Sequence, residues 1–200
     1  RAPIISFIFR HGRAIPIEGE ASGARVVIAT DDMRIAGHAA EIRVDCVMTD
    51  PDLPSGTDRA RAAAAEVAPD ADFIVNLQGD APFTPSTHIS ALIANAAKAD
   101  VVTPVIRLTW NALDKLRENK KTTPFSGTSC IRGADGRAIW FSKTIIPAIR
   151  TEEKLRAASP LSPVLQHVGL YGYSRTALDR IADLPASPYE ELEGLEQLRF

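Results

Sequence analysis

The chain has 200 residues, with 23 Lys and Arg against 25 Asp and Glu, 45% hydrophobic residues, 12 Gly and 14 Pro. That length builds a core without staples and sets one compact domain, residues 1–200, as the expectation. The formal net charge of −2 argues against a general nucleic-acid or polybasic membrane binder. Two cysteines, Cys46 and Cys130, are too few for a disulfide framework or a Cys-rich zinc site and fit a reducing, cytoplasmic compartment. No apolar run approaches a membrane span, and the apolar start lacks a small-residue cleavage site, so no signal peptide is expected.

Apolar runs alternate with helical patterns along the first half. Ile4–Phe9 is the first strand candidate, and Arg25–Thr30 the second. Asp32 caps a helix predicted over Met33–Glu41. A short strand follows at Asp45–Met48. Ser55-Gly56-Thr57-Asp58 opens an alanine-rich helix to about Val67. Phe73–Leu77 is short, apolar and β-rich, as a central parallel strand should be. Pro85 to about Lys98 reads as a helix with Pro near its first position, and Val101–Leu108 as a further strand. Strand–helix alternation of this kind predicts an α/β fold with a mostly parallel sheet in three layers.

The second half is less regular. Gly133-Ala134-Asp135-Gly136 between Thr128–Arg132 and Arg137–Phe141 is a hairpin signal. Pro-rich loops are expected around Ile145–Pro163, then a strand at Val168–Tyr173 and a helix near Thr176–Ile181. Ser187-Pro188 opens a last helix, on which Glu193 and Gln197 would share a face.

Four stretches carry candidate chemistry. Asn76-Leu77-Gln78-Gly79-Asp80-Ala81-Pro82 ends the central strand candidate, and ligands of open parallel sheets bind beyond such carboxyl ends. A carboxylate there, Asp80, can hold a hard cation such as Mg²⁺ on substrate phosphates, and Gln78 offers both a donor and an acceptor. The plainer reading makes Asp80 a turn cap. Ser55-Gly56-Thr57-Asp58-Arg59 presents a helix N-terminus suited to an anion or a polar base edge, with Arg59 as a fixed charge; the plainer reading is a capped helix start with a solvated Arg. His167-Val168-Gly169-Leu170-Tyr171-Gly172-Tyr173 is a strand whose glycines leave room on one face, with His167 and Tyr171 facing the gap or else buried in the core. Glu193, Glu196 and Gln197 are either ligands or a solvated helix face. The chain lacks a Walker loop, a Gly-x-Gly-x-x-Gly after the first strand and a Gly-x-Ser-x-Gly elbow. These absences disfavour P-loop NTPases, dinucleotide-dependent dehydrogenases and α/β-hydrolases.

Taken in order, the stretches Val26–Asp32, Val47–Thr49 with Ser55–Arg59, and Ile74–Asp80 resemble the CMP-KDO synthetases, the 3-deoxy-manno-octulosonate cytidylyltransferases. So do Ile139–Lys143 with Ile146-Pro147, His167–Tyr173, and Leu195–Arg199. The resemblance implies a Rossmann-like, nucleotide-diphospho-sugar transferase-like fold. It also implies transfer of a cytidylyl group from CTP to 3-deoxy-D-manno-octulosonate (KDO) for lipopolysaccharide biosynthesis. Under it, Asp80 holds Mg²⁺ and Gln78 sits beside the sugar. Arg10, Ser55, Gly56 and Arg59 belong to the nucleotide, and His167, Tyr171, Glu193 and Gln197 to the sugar. Family members are homodimers, which places a dimerisation segment around 138–165. The chain departs from the family at its triphosphate loop: Arg10-His11-Gly12-Arg13 follows the first strand, and no Lys precedes Lys98. Ala81 replaces the family's usual Glu, and the sequence stops at Phe200, before the family's C-terminal end with its second Mg²⁺-binding Asp. Two alternatives stay open: a degenerate homologue kept as a binding or assembly module, and a cytidylyltransferase for another acidic sugar such as sialic acid.

Overall fold

The structure, a computed structural model, describes residues 4–8, 25–79, 81 and 83–200. Asp80 and Arg10 therefore lie outside the described residues, as do Phe9 and Pro82. The described residues pack as two compact units. The first takes the described residues up to Pro104 together with Gly169–Asp183; the second takes Val105–Val168 and Leu184–Phe200.

The first unit is built on a six-stranded sheet. Its strands are β1 (Ile4–Ile8), β2 (Arg25–Thr30), β3 (Asp45–Met48), β4 (Phe73–Gln78), β5 (Val101–Val102) and, from far along the chain, β10 (Leu170–Ser174). The order across the sheet is β3-β2-β1-β4-β10-β5. β1, β2, β3 and β4 pair in parallel, whereas β10 runs antiparallel to both β4 and β5. Helix α1 (Met33–Glu41) is capped as the sequence predicts, with the Asp32 carboxylate accepting from the Arg34 N–H at 2.8 Å. Helix α2 (Gly56–Val67) begins at Ser55, whose Oγ accepts from the Asp58 N–H at 3.1 Å. Its far end is closed by Arg175, whose guanidinium donates to the carbonyls of Ala64, Ala68 and Ala71.

Small residues decide how closely α2 lies on the sheet. Ala63 packs on Val27, Ala29 and Val47. Ala64 joins a cluster of Ile74, Tyr171 and Tyr173 with Ala177, Leu178 and Ile181 of α6 (Arg175–Ala182). Strand alternation sends Phe73, Val75 and Leu77 to the opposite face, and α3 (Ser86–Ala94) packs against β4 and β10 with Ile89 and Leu92 buried. Gly172 sits on the Phe73 face: a Cβ there would lie 2.3 Å from the Phe73 ring. The room that glycine leaves in this strand is thus taken by a phenyl ring, not by a ligand.

The second unit holds a four-stranded, wholly antiparallel sheet, β6-β9-β7-β8: β6 (Val105–Thr109), β7 (Ser129–Arg132), β8 (Ala138–Ser142) and β9 (Leu161–His167). The α/β class stands, but the expectation of a mostly parallel sheet does not carry across the chain. Parallel pairing needs long crossovers. The second half has hairpin-length connections instead, as at Gly133–Gly136 between β7 and β8. The expected strand Val101–Leu108 divides at Thr103-Pro104 into β5 and β6, one in each unit. Helix α4 (Trp110–Asn119) packs Leu113 and Trp110 against Leu108 and Val164. Helix α5 (Glu152–Ala158) is tied to it by Arg156, which pairs with Asp114 and Glu152 and lies 4.6 Å over the Trp110 ring. Helix α7 (Pro188–Glu193) carries a capping box from Ser187 and Glu190. Gly194, with φ of 61°, ends it in the left-handed conformation, and a 3₁₀ turn, Glu196–Leu198, follows. Glu193 and Gln197 consequently do not share one helix, against the expectation from their spacing.

Candidate active site

The candidate residues of the first unit converge by topology. α2 follows β3 and leads back to the parallel strand β4, so its N-terminus lies at the edge where β2, β3 and β4 end. That edge carries Asp31, Thr49, the α2 start at Ser55 and Gly56, and Gln78. Gly56, as a first-turn residue, has an amide with no partner inside the helix, the arrangement that accepts anions. Ser55 is doubly engaged with Asp58: its Oγ accepts from the backbone N–H and donates to the carboxylate at 2.6 Å.

Arg59 is not the solvated side chain of the plainer reading. Only 11% of it is exposed. Its guanidinium donates to Asp31 Oδ2 at 3.1 Å and to the Thr49 hydroxyl, so it fastens the first turns of α2 to the ends of β2 and β3. The sequence marks Arg59 but neither of its partners. They lie 28 and 10 residues away, and no local pattern marks them. Tyr171, on β10 opposite Asn76, is buried in the α2–α6 cluster and stacks on Tyr173 with ring centres 5.9 Å apart.

The remaining candidates fall in the second unit. His167 ends β9, and its backbone N–H donates to the Thr128 carbonyl at 2.8 Å. Its ring meets Phe141 edge-on, with centroids 5.1 Å apart. Burial, and then the charge of Lys143, hold the imidazole down at about 4, so it is neutral at pH 7 and can serve as a hydrogen-bonding group, not as a cation. Glu193 accepts from the Ser142 hydroxyl at 2.9 Å and from the Lys143 N–H, which joins the end of α7 to the end of β8. Gln197 is buried within the 3₁₀ turn, beside Leu195, which packs on Cys130 and Phe141. Phe141, Ser142 and Lys143 thus orient His167 and Glu193, a link that only the hairpin register discloses.

An α/β unit with a helix N-terminus, a fixed guanidinium and an amide side chain at one carboxyl edge has the ligand placement of open α/β sheets. The chain also matches known proteins. Residues 2–200 match the family described as cytidylyltransferase. The 3-deoxy-manno-octulosonate cytidylyltransferase of Maricaulis maris is 39% identical over 88% of the chain, and the protein so named in Acidobacterium capsulatum is 34% identical over 99%. The match covers 66% of the first relative and 73% of the second. A third protein so named, from Paraburkholderia phytofirmans, is 38% identical and is covered over 64% of its length, so the chain spans about two thirds of these relatives. Among solved structures, a CMP:2-keto-3-deoxy-manno-octonic acid synthetase complexed with CTP superposes with a TM-score of 0.79 at 27% identity, over 100% of this chain and 85% of that one. The chain belongs to the 3-deoxy-manno-octulosonate cytidylyltransferase family.

Proposed function

We propose that the protein transfers a cytidylyl group from CTP to KDO, giving CMP-KDO and pyrophosphate for lipopolysaccharide biosynthesis. In this reaction the anomeric hydroxyl of the sugar acid attacks the α-phosphorus. A new O–P bond forms, the bond to the bridging oxygen of the β-phosphate breaks, and the hydroxyl proton is lost to solvent or a base. Chemistry of this kind depends on holding two reactants in line and on meeting charge, not on a protein nucleophile.

The observation that carries the reading is the carboxyl edge of the first unit, in a chain that superposes along its whole length on a synthetase complexed with CTP. There the α2 start, Ser55 and Gly56 held in place by Arg59, forms the nucleotide end, with Gln78 toward the sugar. His167, Tyr171, Glu193 and Gln197 are assigned to the sugar by family likeness, and Arg10 to the nucleotide. Asp80, two residues past Gln78 in sequence, is the proposed ligand of Mg²⁺, which when bound offsets charge on the triphosphate as pyrophosphate departs. Mg²⁺ takes one or two protein carboxylates and completes its shell with phosphate and water oxygens.

The same reading includes a homodimer joined through the segment around 138–165. Ile139 and Trp140 of β8 are exposed, as are Tyr189 and Leu192 of α7, and Trp140 meets Tyr189 edge-on at 5.2 Å. Exposed large apolar groups of this kind are what an interface covers. No helix among the described residues is long and apolar enough to cross a membrane; the cytoplasm is the proposed compartment.

Pyrophosphate release from CTP, measured with and without KDO and with sialic acid in its place, tests the reaction. KDO-dependent release is expected. Asp80→Asn should lower it about a hundredfold to a thousandfold while the melting temperature holds. No release with any sugar acid would remove the enzymatic reading.

A further inference from the structure

We propose that Asp31 is a positioning residue for the nucleotide, acting through Arg59; this rests on the reading that the α2 start binds CTP. The two adjacent acids at the end of β2 have separate tasks. Asp32 caps α1 and pairs with Arg34. Asp31 turns to α2 and accepts from the Arg59 guanidinium. Arg59 stands in the first turns of α2, where the helix dipole disfavours a cation. It is also largely withdrawn from water, so its charge needs a partner. Asp31 supplies the countercharge, and the Thr49 hydroxyl takes a further donor of the fork.

The result is a three-way clasp. It joins the end of β2, the end of β3 and the α2 turn that presents Ser55 and Gly56. The intervening loop is held at its root as well, because the Thr49 N–H donates to the Thr30 carbonyl at 2.8 Å. Within it, the Asp50 carboxylate accepts from the Asp52 N–H at 2.9 Å. A guanidinium with 11% exposure, already engaged by two partners, is ill placed to reach a ligand itself. Its work is to fix the loop and helix start that do. A backbone held this way can read the edge of a base. Loss of the clasp should therefore weaken CTP binding and reduce discrimination against UTP, not merely loosen the fold.

The test is calorimetric binding of CTP and UTP to the purified chain, with melting temperature as the control. Asp31→Asn should raise the Kd for CTP about tenfold, the worth of a charged hydrogen bond, and narrow the CTP-to-UTP ratio. Asp31→Glu, which keeps the charge, should recover part of both. Wild-type binding of CTP with an unchanged Kd in folded Asp31→Asn would overturn the proposal and leave the site reading intact. No CTP binding by the wild type would overturn both. If Asp31→Asn does not fold, Thr49→Val decides: a Kd and base ratio equal to wild type would refute the clasp, and a several-fold loss with the fold retained would support it.

Discussion

Gly172 lies in β10, between β4 and β5 in the first unit's sheet, and replacing it with alanine tests how that sheet is packed. The added methyl carbon would stand 2.3 Å from Cζ and 2.8 Å from Cε1 of Phe73, and 3.1 Å from Cγ2 of Val102. Ordinary contacts between such atoms lie beyond 3.4 Å. The Phe73 ring must therefore move by roughly an ångström, although it is buried beside two neighbouring strands. Overpacking of this kind costs about 1–3 kcal/mol. In a chain of this size each kcal/mol moves the melting temperature by about 2–4 °C, so Gly172→Ala should melt roughly 2–12 °C below the wild type. Phe73→Leu shortens the obstructing side chain, and the double variant Gly172→Ala/Phe73→Leu should lose less than the two singles added together. Calorimetric melting of the four proteins measures the coupling. A Gly172→Ala protein that melts with the wild type, or a double variant that is strictly additive, would refute the claim that this glycine exists to admit the ring.

Two further outcomes follow from the second unit. His167, held at about 4 in the folded protein against 6.5 when unfolded, binds its proton more readily in the unfolded chain, so stability should fall as the pH drops from about 6.5 toward 4. The shift corresponds to at most about 3 kcal/mol, and His167→Gln should flatten that part of the pH–stability curve in urea titrations. Trp140→Glu places a charge within the exposed apolar face of β8 and α7; sedimentation should show a dimer for the wild type and a monomer for the variant, and a wild-type monomer at micromolar concentration would dispose of the interface.

The parts of the fold that sequence discloses are those whose signals are local. Asp32, Ser55 and Ser187 cap the helices that the pattern predicts, because a cap and its acceptor lie within three residues. β2 and β4 are apolar over Val26–Ala29 and Phe73–Val75, as strands covered on both faces tend to be. α4 and α5 lie outside the elements that the sequence pattern predicts. Thr109 caps α4 and Trp110, Leu113 and Leu116 recur at helical spacing, a signal that was present; α5 is short, with none of its residues buried, and is secured by ion pairs to distant acids and bases that no local pattern shows. Pro163 argues against a strand, yet it lies within β9, between β6 and β7 in the order of its sheet. The candidate site divides in the same way. Ser55, Gly56 and Gln78 could be placed from the ends of predicted elements. The ties from Arg59 to Asp31 and Thr49, and from Glu193 to Ser142, are made by tertiary folding.

The place of β10 in the first sheet has a consequence for synthesis on the ribosome. β10 occupies the gap between β4 and β5, yet it is translated after all 64 residues of Val105–Val168. Until Leu170–Ser174 leaves the exit tunnel, β4 presents an apolar edge with unpaired amides and carbonyls, and β5 has no strand beside it. A bare edge of that kind recruits other chains. The nascent protein thus passes through an interval, some seconds long at ordinary elongation rates, in which a strand that ends up almost wholly buried is left adhesive. Fragments ending near Pro104 would remain in that condition permanently and should collect in the insoluble fraction, whereas the same fragment supplied with a β10 peptide should stay in solution.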